Sequence, residues 1–264
     1  MKRLLALAAG LVLMTTGCGG PDAKQALRDT SRNLAKIHSG DLTMSMILRP
    51  AGSTGVGFRL HGPFSLKQRT RLPIARIKYA QILGKRKVPA TLISTGRSAF
   101  VRVGDATYRL APGQADALRI VSRGARGLDG LQLDIGRWMR DPKVSGGPDV
   151  GGDETDRITG KVRVGPALHD VLSAARKAGT AHVPSVKDIG RLDDAVTDSS
   201  VELLTGKKDR LLRRLRLNID LDVPERQRKR LGTAASLQID FQLGVSRPNR
   251  RVRVRAPSRS QPLP

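Results

Sequence analysis

This 264-residue chain is poor in cysteine, in aromatic side chains and in acid, with one Cys, four Phe, two Tyr, one Trp, and 23 acidic against 48 basic residues. A single thiol excludes an internal disulfide framework and any cysteine-rich zinc site. Past the first 14 residues no apolar run is sustained, and that run falls short of the roughly 20 residues a spanning helix needs, so the mature chain is not expected to cross a membrane by helix. The four histidines, His38, His61, His169 and His182, are far apart and none stands in a HExxH spacing. There is no GxSxG elbow, and no serine is followed three residues later by lysine. The sequence therefore reads as non-enzymatic, with no cofactor and no metal. The acids Asp149, Asp153, Glu154 and Asp156 fall in a Gly-rich stretch without the alternation of an EF-hand loop and read as solvated.

What the chain does have begins at its start. Lys2 and Arg3 precede the eleven-residue apolar segment Leu4 to Met14, the make-up of an export signal. The small residues Thr15, Thr16 and Gly17 lead into Cys18, with Thr15 where a lipobox usually carries Leu. The expected division is a lipoprotein signal peptide over 1–17, a lipidated Cys18 with a short link to 21, one domain over 22–257, and a frayed tail over 258–264. Two or more acyl chains on Cys18, at about 0.8 kcal/mol per buried methylene, suffice to hold the protein on a membrane. Cleavage removes Lys2 and Arg3, which lowers the formal charge of +25 by two. Export separates so basic a protein from nucleic acid, leaving anionic headgroups and acidic wall polymers as polyanionic partners. A location on the outer face of the cytoplasmic membrane or in the cell envelope follows, and a monomer is expected.

A hydrophobic share of 39% provides a core. Asp22 can cap a helix whose Leu27, Leu34 and Ile37 share one face, with Gly40 as its stop. The period then changes to two, in Leu42, Met44, Met46 and Leu48, in Val56, Phe58 and Leu60, and in Ala75, Ile77 and Tyr79. VPATLIST, AFVRV and TYRLAP continue the meander, and a short helical pattern covers Gly113 to Ile120. Trp138 stands in a single turn closed by Pro142, Ile158, Val162 and Val164 read as a strand, and Pro166 opens a second long helix that Gly179 ends. The clearest alternation is late, in Leu215, Leu217, Ile219, Leu221 and Val223 and again in Leu237, Ile239, Phe241, Leu243 and Val245. Val252 and Val254 alternate with arginines after that.

Roughly ten strands with one apolar side each predict an antiparallel sheet that twist will curl. The expected class is α+β, a strongly curved half-barrel with helices covering its concave face. The lipobox, the helix behind it, the meander, the late helix and the segment AVTDSSVELLTGKKDRLLRRLRLNIDLDVP together resemble the LppX/LprG-type lipoproteins of the bacterial envelope, which share the fold of the LolA and LolB carriers. That resemblance implies an apolar cavity holding acyl chains. With so few aromatics, Leu, Ile, Val, Met and Ala must line it, and such walls suit hydrocarbon. The predicted lining is Met44, Met46, Phe58, Leu60, Ile77, Tyr79, Leu215, Leu217, Ile219, Leu221, Leu237, Ile239, Phe241 and Leu243. Lys207, Lys208, Arg210 and Arg213 are the predicted headgroup contacts at the rim. The function this predicts is an anchored lipoprotein that carries or presents a lipid or lipidated molecule across the envelope. The alternative is a non-enzymatic scaffold whose basic surface binds acidic wall polymers.

Overall fold

A computed structural model describes residues 22–52, 54–66, 71–122, 127–177, 195–222 and 235–263, together with 224, 225 and 228. Residues 1–17, Cys18 and the whole link to residue 21 lie outside the described residues. Among the described residues no helix is long and apolar enough to cross a membrane.

The chain opens as helix α1, Ala23–Asn33, because the Asp22 carboxylate accepts the Lys24 N–H and so satisfies one of the orphan donors at the helix start. Its Ala26, Leu27 and Thr30 are buried, and a 3-10 turn over Leu34–Lys36 ends the run before strand β1. β1 (Ser39–Pro50), β2 (Val56–Ser65), β3 (Ile74–Leu83), β4 (Arg86–Thr95), β5 (Ala99–Val103) and β6 (Ala106–Arg109) form the first meander. Helix α2 (Pro112–Ser122) and the single turn α3 (Ile135–Trp138) lead to a second meander of β7 (Met139–Gly146) and β8 (Thr155–Val162), then helix α4 (Val164–Lys177), β9 (Val196–Gly206), β10 (Leu212–Asp222) and β11 (Ser236–Ser246). β11 pairs back onto β1, Met44 opposite Leu243, and so joins the meanders into one sheet.

Among the described residues that sheet is open and has 12 strands, which with Gln261–Pro262 as β12 run in the order β12-β6-β5-β4-β3-β2-β1-β11-β10-β9-β8-β7. Several local expectations are corrected. Gln261–Pro262 form β12, which runs parallel to Tyr108 and Arg109, so the sheet is antiparallel except at this edge and the tail is not frayed there. Pro142 does not close the turn at Trp138. It lies inside β7, which tolerates a residue without an N–H because β7 is an edge strand with an irregular register between Arg140 and Lys143. Val164 belongs to α4 rather than to β8, because the chain turns at Arg163, whose N–H is taken by the Trp138 carbonyl. Val252 and Val254 are half-buried in an extended segment that joins no ladder.

In β2, Gly62 has φ +146, and a Cβ there would collide with the Arg76 carbonyl of β3, so the close approach of these strands requires glycine. Register shifts in the β9 and β10 pair, near Leu212 and near Leu221, add bends of the kind bulges produce.

In the main core Ala26, Leu27, Ile135, Trp138, Leu168, Val171 and Leu172 of the helices pack on the strands. The opposite side of the first meander is crossed by the chain after β11. Ser39 Oγ donates to the Arg250 carbonyl at 2.7 Å, and Arg76 reaches the Arg255 carbonyl at 3.5 Å.

Candidate functional site

Because residues directly paired across antiparallel strands point to the same side, the register fixes which side chains share the helix-covered face. One row runs Ala90, Tyr79, Leu60, Met44, Leu243, Leu215, Leu203, Ile158, Val144, across β4, β3, β2, β1, β11, β10, β9, β8 and β7. All fourteen predicted lining residues belong to this face. The structure brings them together, but it does not give them one environment.

Under the second meander the face is closed. Leu215, Leu217, Ile219 and Leu243 have 0% exposure, so no water-sized void touches them, and Leu221, Leu237, Ile239 and Phe241 are also buried. Phe241 meets Trp138 edge to face at 6.3 Å. Met44, Met46 and Phe58 continue this packing into β1 and β2.

Under the first meander the cover thins. Leu60, Ile77 and Tyr79 are half-buried, and so are Val88, Leu92, Val101 and Tyr108, which the pairing of β4, β5 and β6 sets on the same side. Val56, Leu83 and Val103 are 39%, 44% and 48% exposed, and they are the large hydrophobic residues found exposed among the described residues. All three share this face, since Val56 pairs with both Leu48 and Leu83, and Val103 lies two residues beyond Val101. The Tyr79 ring stacks on Phe58, centroids 6.3 Å apart with planes 18° from parallel. Burial lifts the Tyr79 hydroxyl above the ordinary tyrosine range, because the phenolate loses water there. Val88, Leu92 and Val101 were not among the predicted lining, although the alternation in VPATLIST and AFVRV carried the signal and only the strand register was missing.

The predicted rim group divides. Lys207 and Lys208 are exposed at the turn between β9 and β10. Arg213 is not at the rim. Its side chain is 3% exposed and bonds Asp153 at 2.9 Å, Asp209 at 2.8 Å and the Leu211 carbonyl at 3.2 Å. Arg210 is mostly buried and holds Asp156 at 2.5 Å. Two acids of the Gly-rich stretch are thus counter-ions for arginines, Asp156 mostly buried and Asp153 still half-exposed, a pairing across more than 50 residues that no local spacing announces. Among the described residues no three His, Cys, Asp or Glu side chains gather as a metal site.

An open cavity of about 520 Å³ lies elsewhere, at the far end of the first meander, and none of the predicted lining residues borders it.

No protein family and no curated protein matches the sequence. Among solved structures, the chain is similar to LprF from Mycobacterium bovis at 13% identity, over 90% of this chain and 98% of that one, with a TM-score of 0.48. It is also similar to a LolA superfamily protein from Nitrosomonas europaea, at 8% identity over 85% and 93% of the two chains and a TM-score of 0.22. MucB, solved in complex with a periplasmic MucA segment, shows 15% identity over 92% of this chain and 62% of that chain, at a TM-score of 0.29. Similarity at this level carries nothing about binding.

Proposed function

We propose that this protein is a membrane-tethered, non-enzymatic carrier in the cell envelope that holds acyl chains of a lipid or lipidated molecule against the thinly covered part of its apolar sheet face. The supporting observation is the gradient along that face. The row that is sealed at Leu215 and Leu243 opens through Leu60 and Tyr79 toward Val103. A monomeric soluble surface rarely leaves aliphatic side chains contiguous and uncovered without a use for them. Hydrocarbon is the natural guest. The wall offers branched and straight aliphatic carbon, the hydroxyls of Tyr79 and Tyr108, Gln81, and few other groups that could orient a polar molecule.

In this reading the sheet is a curved half-barrel, the sealed half is the rigid wall, and the first meander is the receiving side. Lys207 and Lys208 face anionic headgroups, at about 1 kcal/mol per basic residue near such a surface. Cys18 supplies the lipid anchor, and capture and release are passive. The test is uptake of a fluorescent phospholipid by delipidated protein, with native mass spectrometry of the protein as purified. Saturable uptake and a co-purified lipid mass support the carrier, whereas no uptake and no bound mass remove it. The Cys18→Ser variant is expected to leave the membrane fraction while keeping uptake.

A scaffold on acidic wall polymers is the second reading, supported by the exposed Arg251, Arg253 and Arg255 beside the first meander. Polymer binding that modest salt abolishes, in protein that takes up no lipid, favours it.

A further inference from the structure

We propose that the 520 Å³ cavity at the outer corner of the first meander is a separate binding site for a small anionic amphiphile, a phosphate or carboxylate head carrying a short apolar body. Four pieces of chain make it: Arg71 and Leu72 before β3, the turn from Arg97 to Ala99, the segment from Arg109 to Ala115 that starts α2, and Ser260 to Leu263. Its size falls in the range of small-molecule pockets, about 300–1,000 Å³.

The floor is apolar. Leu72, Ala99 and Ala115 are buried against one another, separate from the main core, and Leu110 packs on them. The mouth is basic, with Arg71, Arg97 and Arg109 around one opening. Only Arg71 faces a carboxylate, that of Asp116 at 3.5 Å, and both partners are half-exposed, so that pair is weak. Among the described residues neither Arg97 nor Arg109 is in an ion pair. Among the described residues the Arg109 guanidinium makes only a long contact of 3.4 Å to the Ser98 hydroxyl. Guanidinium groups present paired donors to a carboxylate or phosphate, and two of them at one mouth select for negative charge.

Backbone hydrogen bonds hold the walls in place before any ligand arrives. The Leu72 N–H donates to the Gly96 carbonyl at 3.0 Å and Leu110 to Ala99 at 3.0 Å, while Leu263 donates to Arg109 at 3.2 Å beside the β12 pairing. A site built this way loses little entropy on binding. Charge beside an apolar floor defines the ligand class: a bare anion would leave the floor uncovered, and a neutral amphiphile would leave the arginines unused.

The site rests on different residues from the acyl-binding face, so the two readings can fail independently. Calorimetric titration of the full chain with octyl phosphate tests it, with inorganic phosphate and octyl glucoside as the two comparison arms. Octyl phosphate is expected to bind at least about tenfold more tightly than either, a difference of about 1.4 kcal/mol. The R97Q/R109Q variant is expected to lose that advantage while its uptake of fluorescent phospholipid is unchanged. Should that variant fail to fold, A115L, which fills the floor, is expected to weaken octyl phosphate and leave inorganic phosphate as it was. Equal binding of octyl phosphate and octyl glucoside overturns the proposal, as does undiminished octyl phosphate binding by folded R97Q/R109Q. Absent phospholipid uptake alongside intact octyl phosphate binding sinks the carrier and leaves this site standing.

Discussion

The indole N–H of Trp138 donates to Asp170 Oδ2 at 2.9 Å, and the backbone N–H of Asp134 donates to the same oxygen at 2.9 Å. One carboxylate on α4 therefore ties down both ends of the α3 turn and holds the only tryptophan edge-on against Phe241. Trp138 is wholly buried, so its N–H has no water to fall back on. Asp170→Ala is expected to lower stability by about 1–3 kcal/mol, the penalty of a buried donor left without an acceptor. Asp170→Asn keeps an acceptor oxygen and is expected to lose less. Urea unfolding followed by Trp138 fluorescence reads both, and equal losses in the two variants would show that the hydrogen bond is immaterial.

A second expectation concerns Arg213, a guanidinium that the fold buries on the strength of Asp153 and Asp209. Removing one acid leaves the other. Removing both strands a charge whose side chain is 3% exposed, and breaking buried pairs of this kind costs about 3–5 kcal/mol. Because both aspartates are themselves more than 40% exposed, the lower end of that range is expected for Asp153→Ala with Asp209→Ala. The double variant should lose more than the two single losses added together, which a urea double-mutant cycle measures.

The sealed and open parts of the face should answer differently to substitution. Leu217→Ala removes a side chain with no exposure and is expected to cost about 2–5 kcal/mol. Leu92→Asn, on the half-exposed part, is expected to change stability far less and to weaken phospholipid uptake at least severalfold. Unchanged uptake by a stable Leu92→Asn protein places the guest somewhere else.

Tyr79 offers a check by titration. Burial raises its folded-state pKa, so the stability it supplies is complete below the pKa of an unfolded tyrosine and is lost as pH rises through the folded value. An acyl chain laid over the ring removes more water and should push the titration higher still. Phenolate absorbance of the Tyr108→Phe protein, in which Tyr79 is the one tyrosine left, recorded with and without bound lipid measures the difference. A lowered or unmoved titration on lipid binding contradicts contact at Tyr79.

Much of this face is legible in the sequence, because alternation with a period of two marks the buried side of a strand whatever its neighbours are. Leu215, Leu217, Ile219 and Leu221 show it, and so do Leu237, Ile239, Phe241 and Leu243. The same alternation ran through Val88, Ala90 and Leu92, yet periodicity alone does not say that these continue the row begun at Met44. That depends on pairing between strands. Arg213 differs from its sequence expectation for a related reason: composition marks it as charged and so as exposed, while its burial depends on Asp153, which lies 60 residues away.

The sequence by itself determined the two-sided strands, the capped first helix and the basic exterior, since each follows from neighbouring residues and the geometry of a short backbone segment. Tertiary structure alone decided where the apolar face is shut and where it is open, and which arginines meet at the corner beside β12. Those outcomes depend on β1 pairing with β11 nearly 200 residues later and on the last residues docking against β6. Contacts closed over such distances are set by the folded chain as a whole, and no local pattern encodes them.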